Sequence, residues 1–400
     1  MGKPKIRFEG YSEDWEQRKL GELGTVQTCK RIFKEQTSEQ GDIPFFKNGT
    51  IGLEPDSYIS REVYEEFRRL YPYPEVGDTL ISVVGSIGRT AEYTGKDEYF
   101  QDSNVVWLKT NGSINKKFLK ISYQVIKWLI EGSTVKHLYN DNILRSEIVM
   151  PVSQIEQAKI AEFFEELDHL ITLHQRKYDE TKTLKKYMLQ KMFPQNGEKV
   201  PEIRFDGFTE DWEQCKSGEI APLRGGFAFK SNEYCSEGIP IVRISNILSD
   251  GSVGEDYAYY CEQASDEIYT LYDGAVVLAM SGATTGKVSV LRAEKGQKYY
   301  QNQRVGYFIP TDICDYSFVK TIMRSHLFTD QLSAVLVAGA QPNVSSKEID
   351  GFEFLIPQSK EEQKKIGAYF TNLDHLIALH QRKYDELQSI KKFMLQNMFT

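Results

Sequence analysis

The stretch Glu156–Phe193 reads EQAKIAEFFEELDHLITLHQRKYDETKTLKKYMLQKMF, and Glu362–Phe399, 206 positions later, reads EQKKIGAYFTNLDHLIALHQRKYDELQSIKKFMLQNMF. A second match opens each copy: Ile6–Leu23 reads IRFEGYSEDWEQRKLGEL, and Ile203–Ile220 reads IRFDGFTEDWEQCKSGEI. The residues between these matches resemble each other only weakly. Duplication followed by uniform drift would leave even similarity along the unit. Constant frames around divergent inserts therefore indicate that the frame sets the geometry of the protein and the insert determines its specificity.

Apolar residues recur at a helical spacing after Pro151 and Pro357. In the first copy, the positions repeating every seven residues are Ile160, Leu167, His174, Thr181 and Met188. Five such heptads predict one long helix per copy, roughly 60 Å for 40 residues. A helix of that length needs a partner for its apolar stripe. We expect the two helices to pack antiparallel with one insert at each end, because a parallel pair would make the inserts collide.

The inserts are predicted to be globular domains of mixed structure. Strand-like runs between turns rich in Gly, Asn and Asp occur at Asp42–Phe46, Thr79–Val84, Val105–Leu108, Ile239–Ile244, Ala275–Ala279, Val288–Leu291 and Val305–Ile309. Helical stretches follow near Phe118–Ile130 and Ser317–Ala334. The fold class is thus α/β (mixed α+β). Two globular domains are separated by two long helices packed as an antiparallel coiled coil, with a pseudo-twofold repeat.

Composition is that of a globular protein, with 40% hydrophobic and 26% charged residues in a chain of 400. No apolar run approaches the roughly 20 residues of a membrane helix. The opening MGKPKIRFEG lacks the apolar segment of a secretory signal. We therefore expect a cytoplasmic protein with no membrane partner. The net charge of −8 argues against a nucleic-acid binder, although whole-chain charge does not show how the cations cluster.

Cysteine and histidine spacings predict neither a disulfide framework nor a metal site. The five cysteines are never spaced C-x-x-C. The long helices carry His169 with His174 and His375 with His380. This i, i+5 spacing puts the two rings on different faces, unlike the i, i+4 pair of helical zinc sites. We interpret His174 and His380 as polar residues of the helix seam that fix its register.

No catalytic motif is complete in this sequence. The turn Gly282–Lys287 has three residues between its glycines where a P-loop has four, and it joins two strands rather than opening a helix. The chain lacks an Asn/Asp-Pro-Pro-aromatic methyltransferase loop and a G-x-S-x-G turn. Its E-x-K at Glu362–Lys364 lies at a helix start without the aspartate of a nuclease. Together these absences predict that the chain is not an enzyme on its own.

Basic and amide side chains gather in the turns of both inserts. Arg, Lys, Asn and Gln are the residue types that reach phosphates and read base edges. The candidates for DNA contact are Lys30, Arg31, Lys34, Lys47, Asn48, Arg89, Gln101 and Asn104 in the first insert, and Arg224, Lys230, Arg243, Asn246, Lys287, Gln301, Asn302 and Arg304 in the second. Arg89 and Lys287 end corresponding glycine-rich turns. The alternative is ordinary loop polarity, with those turns serving as hairpins that carry an exposed cation.

Three motifs, each present twice and in the same order, resemble the specificity subunit of a type I restriction–modification system. Each copy opens with F-x-G-[YF]-x-E-D-W-E-Q, at Phe8–Gln17 and Phe205–Gln214. It continues through the glycine-rich turns Gly85–Arg89 and Gly282–Lys287. It closes with helices that begin E-Q-x-K-I at Glu156 and Glu362. The resemblance covers essentially the whole chain.

The resemblance implies four segments and a division of labour. Residues 1–153 and 197–359 would be target recognition domains, each reading one half of a bipartite site in double-stranded DNA. Residues 154–196 and 360–400 would be spacer helices that dock two methyltransferase (M) subunits. Those subunits would use S-adenosylmethionine to methylate adenine, and a restriction and translocation (R) subunit would use ATP and Mg. This chain itself would bind no cofactor and no metal.

Two other functions remain open on the sequence alone. A repeat adaptor that bridges two protein partners would show no salt-dependent affinity for DNA. A self-contained DNA-modifying enzyme would need a catalytic loop that the sequence lacks.

Overall fold

Two units of mixed α/β structure make up the protein, which a computed structural model describes for residues 4–85, 87–132, 136–195, 197–254, 256–337 and 343–399. The first unit consists of Met1–Gln175 and Arg382–Thr400, and the second of Arg176–Gln381. The first thus combines the opening of the chain with its last helical turns.

The first unit contains a four-stranded sheet with a core on each side, a three-stranded sheet and a two-stranded pair. Its strands are β1 (Glu16–Lys19), β2 (Gly24–Thr28), β3 (Ile43–Phe46), β4 (Tyr58–Ile59), β5 (Thr79–Ser82), β6 (Thr90–Glu92), β7 (Tyr99–Phe100), β8 (Val105–Thr110) and β9 (Glu147–Met150). Its helices are α1 (Leu20–Leu23), α2 (Arg61–Leu70), α3 (Lys116–Ser122), α4 (Asn140–Arg145) and α5 (Gln154–Lys191), of which α5 continues into the second unit. The sheets have the orders β2-β8-β5-β6 and β4-β3-β7.

Residues of β8 alternate between the two cores of the first unit. Val105 and Trp107 pack in one, and Val106 and Leu108 pack in the other. Because side chains along a strand point alternately to opposite faces, a sheet covered on both faces requires an uninterrupted apolar run. This is why Val105–Leu108 was predictable as a strand.

The second unit repeats this arrangement. Its strands are β10 (Glu213–Lys216), β11 (Leu223–Arg224), β12 (Ile239–Val242), β13 (Ala258–Tyr260), β14 (Thr270–Leu271), β15 (Val276–Ala279), β16 (Val288–Val290), β17 (Tyr299–Gln301), β18 (Val305–Phe308) and β19 (Glu353–Ile356). Its helices are α6 (Ser217–Ile220), α7 (Tyr316–Ile322), α8 (His326–Val337), α9 (Ser346–Asp350) and α10 (Lys360–Met398), of which α10 ends in the first unit. The sheets have the orders β11-β18-β15-β16 and β13-β12-β17-β14. The mixed α/β fold is confirmed.

Both short helical predictions need correction. The helix predicted over Phe118–Ile130 ends at Ser122, whose hydroxyl donates to the Phe118 carbonyl oxygen at 3.0 Å. Back-bonding of this kind slightly destabilises a helix, but α5 continues through the same contact at Thr172, so the contact accompanies the end of α3 without explaining it. The stretch predicted over Ser317–Ala334 is two helices, α7 and α8, separated at Ser325. There the Ser325 hydroxyl donates to the Ile322 carbonyl oxygen at 2.7 Å.

Each insert is closed at its base by an antiparallel strand pair. In the first unit β1 pairs with β9, with Gln17 opposite Val149. In the second unit β10 pairs with β19, with Gln214 opposite Leu355. These pairs hold together the two points at which the chain enters and leaves the insert. The frame can therefore stay the same whatever insert it carries.

The repeated motifs meet in a buried ion pair in each unit. The Arg7 guanidinium donates to both carboxylate oxygens of Glu156 at 2.7 and 2.8 Å, and Arg204 contacts Glu362 in the same way at 2.7 and 2.9 Å. Each glutamate side chain is only 1% exposed. Two parallel N–H···O bonds fix both distance and orientation. The pair therefore fixes the opening motif to the start of each long helix.

The glutamine of each E-Q motif also has a structural role. The Gln157 amide accepts the Asn115 backbone N–H at 2.8 Å and donates to the Pro151 carbonyl oxygen at 2.8 Å. Gln363 does the same in the second unit, accepting from Asp315 and donating to Pro357, both at 2.7 Å. Both glutamines are buried. Each amide thus satisfies one backbone N–H and one carbonyl oxygen that have no partner in a helix or sheet.

The two long helices run antiparallel in each unit, as predicted. In the first unit Lys391 donates to Asp168 at 2.6 Å, and in the second Lys185 donates to Asp374 at 2.5 Å. The end of each helix also completes a core. Phe193, at the end of α5, stacks on Phe318 with ring centroids 5.7 Å apart in the second unit. The placement of the inserts at opposite ends of a rod stays a prediction.

The seven-residue pattern of α10 contains a glycine, Gly367, and the helix continues through it. A Cβ at that position would overlap Ser317 and the backbone of Phe318. The first copy has Ala161 at the corresponding point, and it is fully buried. The helix therefore accepts the conformational cost of glycine because α7 approaches it closely.

Within the described residues, no helix combines the length and the apolar character needed to cross a bilayer. The same part of the chain holds no group of three or more His, Cys, Asp or Glu side chains arranged to bind a metal ion.

Candidate nucleic-acid interface

In the first unit, two of the predicted polar segments lie side by side. Strands β3 and β7 are parallel and pair Phe46 with Phe100, so the residues that follow them are adjacent. The Gln101 backbone N–H donates to the Phe46 carbonyl oxygen at 2.8 Å. The Asn48 backbone N–H donates to the Gln101 side-chain oxygen at 2.9 Å. Lys47, Asn48 and Gln101, far apart in sequence, thus form one surface.

The glycine-rich turn of the first unit joins the same surface. The Arg89 guanidinium donates to the Gly49 carbonyl oxygen at 3.0 Å. The Asn48 side chain donates to the Val84 carbonyl oxygen and accepts from the Ser82 hydroxyl, both at 2.5 Å. The predicted residues Lys47, Asn48, Arg89 and Gln101 are therefore brought together. Ser86, within the turn, lies outside the described residues.

The second unit joins its loops by the same strand geometry. Strands β12 and β17 are parallel, and the Asn302 backbone N–H donates to the Val242 carbonyl oxygen at 3.1 Å. The Phe227 N–H donates to the Gln301 carbonyl oxygen at 2.9 Å. The Arg224 guanidinium donates to the Gln301 side-chain oxygen at 3.1 Å. These contacts join the loop after β11 to the ends of the parallel strands β12 and β17.

In both units a residue just before the glycine-rich turn makes the same backbone hydrogen bond to the loop that follows β7 or β17. The Val83 N–H donates to the Asn104 carbonyl oxygen, and the Met280 N–H donates to the Arg304 carbonyl oxygen, each at 3.0 Å. Asn104 and Arg304 are both candidates from the sequence. The two inserts therefore build their loop surfaces on one plan, while the side chains differ.

The loop after β12 is held by its own polar groups. The Asn246 side-chain oxygen accepts the Arg243 backbone N–H at 2.9 Å, and its amide donates to the Asp256 carbonyl oxygen at 2.9 Å. The Thr284 hydroxyl, from the glycine-rich turn, donates to the Ile244 carbonyl oxygen at 3.2 Å. Asn246 is 2% exposed. In this structure Asn246 shapes the loop rather than facing outward.

The most accessible candidates are cations. The exposed ones are Lys30, Arg31, Lys34, Lys230 and Arg304, and the half-buried ones are Lys47, Arg89, Arg243 and Lys287. Lys30 lies 5.0 Å from the ring centroid of Tyr71, and Arg31 lies 5.6 Å from that of Phe33. Contacts of this kind hold a long side chain in place without removing its charge. Accessible, positioned cations are suited to phosphate contact.

Two further candidates are used internally. Gln301 is fully buried, and its amide donates to the carbonyl oxygens of Arg224 at 2.8 Å and Val305 at 2.7 Å. Burial lowers the pKa of Arg224, whose guanidinium also lies 4.8 Å from the ring centroid of Tyr307. Because their polar groups already have partners within the protein, Gln301 and Arg224 hold the loops in position in this structure. Base contact by Gln301 or Arg224 stays a prediction.

One exposed aromatic residue was missed on the sequence. Phe227 is 44% exposed, on the loop that carries Arg224 and Lys230. It lies three residues before Lys230, as Arg31 lies three before Lys34. Exposed aromatic rings offer stacking or wedge contacts to bases. The sequence carried no signal that separates Phe227 from Phe229, which stands two residues later and is buried.

A family model described as the type I restriction modification DNA specificity domain matches residues 12–183 and, separately, residues 209–389. The chain belongs to this family. Both copies of the repeat are matched, each by its own domain. Nothing in the matches supports an adaptor that binds no DNA.

Individual relatives agree with the family. A Haemophilus influenzae protein named as a putative type I restriction enzyme specificity subunit is 45% identical over 157 residues, 38% of this chain and 41% of that protein. The match thus spans less than half of that relative's length. The type I restriction enzyme MjaVIII specificity subunit of Methanocaldococcus jannaschii is 24% identical over 292 residues, 70% of this chain and 68% of that protein.

A solved structure shares the fold over the full length. The S subunit of a type I restriction–modification system from M. genitalium covers 100% of this chain and 99% of its own, with a TM-score of 0.69 and 15% sequence identity. At that identity the likeness concerns the fold and not individual contact residues.

Proposed function

We propose that this chain is the DNA-recognition subunit of a type I restriction–modification system, and that its two inserts read the two halves of a bipartite target in double-stranded DNA. One observation carries the proposal. In each unit the glycine-rich turn meets the loops that follow two parallel strands, β3 and β7 in the first unit and β12 and β17 in the second. The first unit presents Lys47 and Arg89 where the second presents Arg243 and Lys287. A shared scaffold with different side chains is what two different half-sites require.

Recognition would combine two kinds of contact. Exposed cations such as Lys34 and Lys230 would bind phosphates and set the position of each domain. Amides and cations of the converging loops, such as Asn48 and Asn302, would read base edges. The net charge of −8 suits a protein that shares phosphate neutralisation with its partner subunits.

The chain would recognise the DNA target, and its partner subunits would catalyse the reactions. Two methyltransferase (M) subunits would dock on the long helices, bind S-adenosylmethionine and methylate adenine. Restriction (R) subunits would use ATP and Mg to translocate and cut DNA. The missing methyltransferase and nuclease motifs support a non-catalytic role. The limits proposed are residues 1–153 and 197–359 for the recognition domains, and 154–196 and 360–400 for the spacer helices.

Exchanging one insert tests the assignment of the two half-sites. The segment Leu20–Ser146 should be replaced by its counterpart from a specificity subunit with a different known target. This exchange leaves β1 and β9 in place, so the closing pair of the frame can still form. The variant is co-expressed with its M subunits, and methylated adenines are mapped across the genome. We expect one half of the target to change.

The matched control is the same exchange over Ser217–Phe352, which leaves β10 and β19 in place. It should change the other half of the target and leave the first as it was. If either exchange altered both halves, or neither, the assignment of one half-site to each insert would be wrong.

A methyl-transfer assay tests the non-catalytic role. The purified full chain, incubated with duplex DNA and labelled S-adenosylmethionine, should transfer no methyl group. Adding M subunits should produce transfer at the mapped target. Transfer by the chain alone, above the background of a sample without protein, would contradict the proposal.

A further inference from the structure

A cavity of about 170 Å³ in the second unit is lined by more cations than carboxylates. Its charged lining residues are Lys185, Arg292, Lys320, Arg324 and Asp374. They come from α5, from the segment after β16, from α7 and the turn that follows it, and from α10. Four cations therefore surround a single carboxylate.

That carboxylate is already fully used. The Lys185 ammonium lies 2.5 Å from one oxygen of Asp374, and the Arg324 guanidinium lies 2.7 Å from the other. Across the described residues, neither Arg292 nor Lys320 has a carboxylate within ion-pair distance. Asp273 and Asp315 act on Lys320 only from a distance, and neither lines the cavity.

The corresponding place in the first unit is electrically balanced. Lys120 pairs with Glu92 at 2.7 Å, and Lys117 pairs with Glu165 at 2.9 Å. The antiparallel helix pair adds Lys391 with Asp168 at 2.6 Å. Three cations there face three carboxylates.

The second unit has lost two of these carboxylates. Strand pairing places Val290 where the first unit has Glu92. Thr371 lies 206 positions after Glu165, at the corresponding point of the repeated helix. Both Val290 and Thr371 line the cavity. The charge excess thus arises from these two replacements together with the added cations Arg292 and Arg324, and it persists although Ser317 takes the place of Lys117.

The cations are also partly removed from water. Lys320 is half-buried, and burial lowers its pKa, with Arg292 lowering it further. Concentrated positive charge in a recess is costly unless an anion compensates it. Ser317 and Thr321 add hydroxyl groups to the lining. The Ser317 hydroxyl donates to the Asp315 carboxylate and the Thr321 hydroxyl donates to the Ser317 carbonyl oxygen, so the donors available to a ligand are the guanidinium and ammonium groups. These groups match the oxygens of a phosphate group.

We propose that this cavity binds a phosphate group, held by Arg292, Lys320 and Arg324. The group can belong to the DNA backbone or to a free phosphate-bearing molecule, since the recognising chemistry is the same. The site is separate from the strand-end loops assigned to base reading, so it does not depend on that assignment.

The test is a titration of the full chain with inorganic phosphate, followed by calorimetry. Chloride at equal ionic strength serves as the reference. We expect saturable binding of one phosphate per chain. Arg292→Gln removes a donor, and Thr371→Glu restores the carboxylate of the first unit at an exposed position. Each should weaken phosphate binding by about tenfold or more, as expected for loss or repulsion of one charged contact.

The matched control is Lys120→Gln, which removes the corresponding lysine of the first unit and should leave phosphate affinity unchanged. Two variants at separate positions keep the test valid if one fails to fold. The proposal is overturned if phosphate binds no better than chloride. It is also overturned if folded Thr371→Glu and Arg292→Gln proteins keep wild-type affinity.

Duplex DNA containing the target, with M subunits present, identifies the source of the phosphate. If the backbone supplies it, inorganic phosphate competes with the duplex, and Arg292→Gln reduces the salt dependence of DNA binding by about one counterion. If a free molecule supplies it, Arg292→Gln loses phosphate binding while its DNA affinity and salt dependence stay as in the wild type. Either result supports the site.

Discussion

At the scale of single residues, the repeated E-Q motif has a physical explanation. Its glutamate binds an arginine 149 positions away in the first unit and 158 away in the second, and its glutamine replaces backbone partners. The repetition was visible in the sequence, but the partners were not, because Arg7 and Arg204 stand in loops with no periodic pattern. A motif can be recognised well before its contacts can be assigned.

Replacing Glu362 by glutamine should destabilise the second unit strongly. The substitution leaves the Arg204 guanidinium largely buried without a countercharge, which typically costs about 3 kcal/mol. Urea unfolding combined with hydrogen exchange measures the second unit separately from the first. The matched control is Glu361→Gln, since the neighbouring Glu361 pairs with Lys364 on the exposed face of the same helix, within the second unit. That change should cost less than about 1 kcal/mol. Equal costs for the two variants would contradict a structural role for Glu362.

At the scale of secondary-structure elements, apolar runs were predictable and polar elements were not. The central strands β5, β8, β15 and β18 were found because both of their faces are buried. The strand β1, EQRK, has no buried residue, and α2 buries only Tyr64. The strand β1 shows no apolar period and was not predictable. The helix α2 does carry a signal, since Val63, Phe67 and Leu70 recur at a helical spacing, but most of its other residues are charged. Both are stabilised by partners distant in sequence.

The candidate site was predictable in the same partial way. Residue types and turn positions identified the loops that converge, because the turns follow apolar strands. They could not show that β3 and β7, or β12 and β17, are parallel neighbours. They also could not separate Gln301, which is buried and satisfied, from Arg304, which is exposed. That distinction depends on contacts made across the sheet.

A methyl group at Gly226 should disturb the loop surface of the second unit. A Cβ there would overlap the carbonyl oxygens of Gln301 and Asn302, so Gly226→Ala must move the loop away from β17. We expect a loss of about 2 kcal/mol in stability, comparable to overpacking elsewhere, and weaker DNA binding in the complex with M subunits. Unfolding curves and gel shifts measure the two effects.

The neighbouring Gly225 provides the control, because a Cβ there would meet no heavy atom within 4 Å. Gly225→Ala should change the free energy of unfolding by less than about 0.5 kcal/mol, as is typical of a surface substitution without contacts. Because the loop stays in place, DNA affinity should remain within about twofold of the wild type. A Gly226→Ala protein that binds like Gly225→Ala would show that the close approach to β17 has no part in recognition.

At the scale of the whole molecule, the long helices are predicted to set the distance between half-sites. Adding four residues after Asp179 and four after His380 lengthens both helices by about 6 Å. The pairs Asp168–Lys391 and Lys185–Asp374 lie on either side of both insertions in sequence, so each can still form. We expect the preferred spacer to grow by one or two base pairs, at about 3.4 Å each, with both half-sites unchanged.

Mapping of methylated adenines measures the spacer directly. The control is a single insertion after Asp179, which puts the two ion pairs out of register and creates a stutter in the seven-residue pattern. It should lower stability more than the paired insertion does. A paired-insertion variant that assembles with its partners and methylates the original spacing would rule out the helices as the measure of distance.

The exchange of helix ends between units also sets an order of events during synthesis. The core of the first unit includes Met398, and Phe399 contacts Trp15 with ring centroids 5.8 Å apart. The second unit needs nothing beyond Gln381. Because a chain emerges from the ribosome from its N-terminus, the unit that is begun first is completed last. Until Phe399 is made, Trp15 and Phe118 lack their final aromatic neighbour. The core of the first unit therefore stays incomplete, and open to aggregation, longer than that of the second.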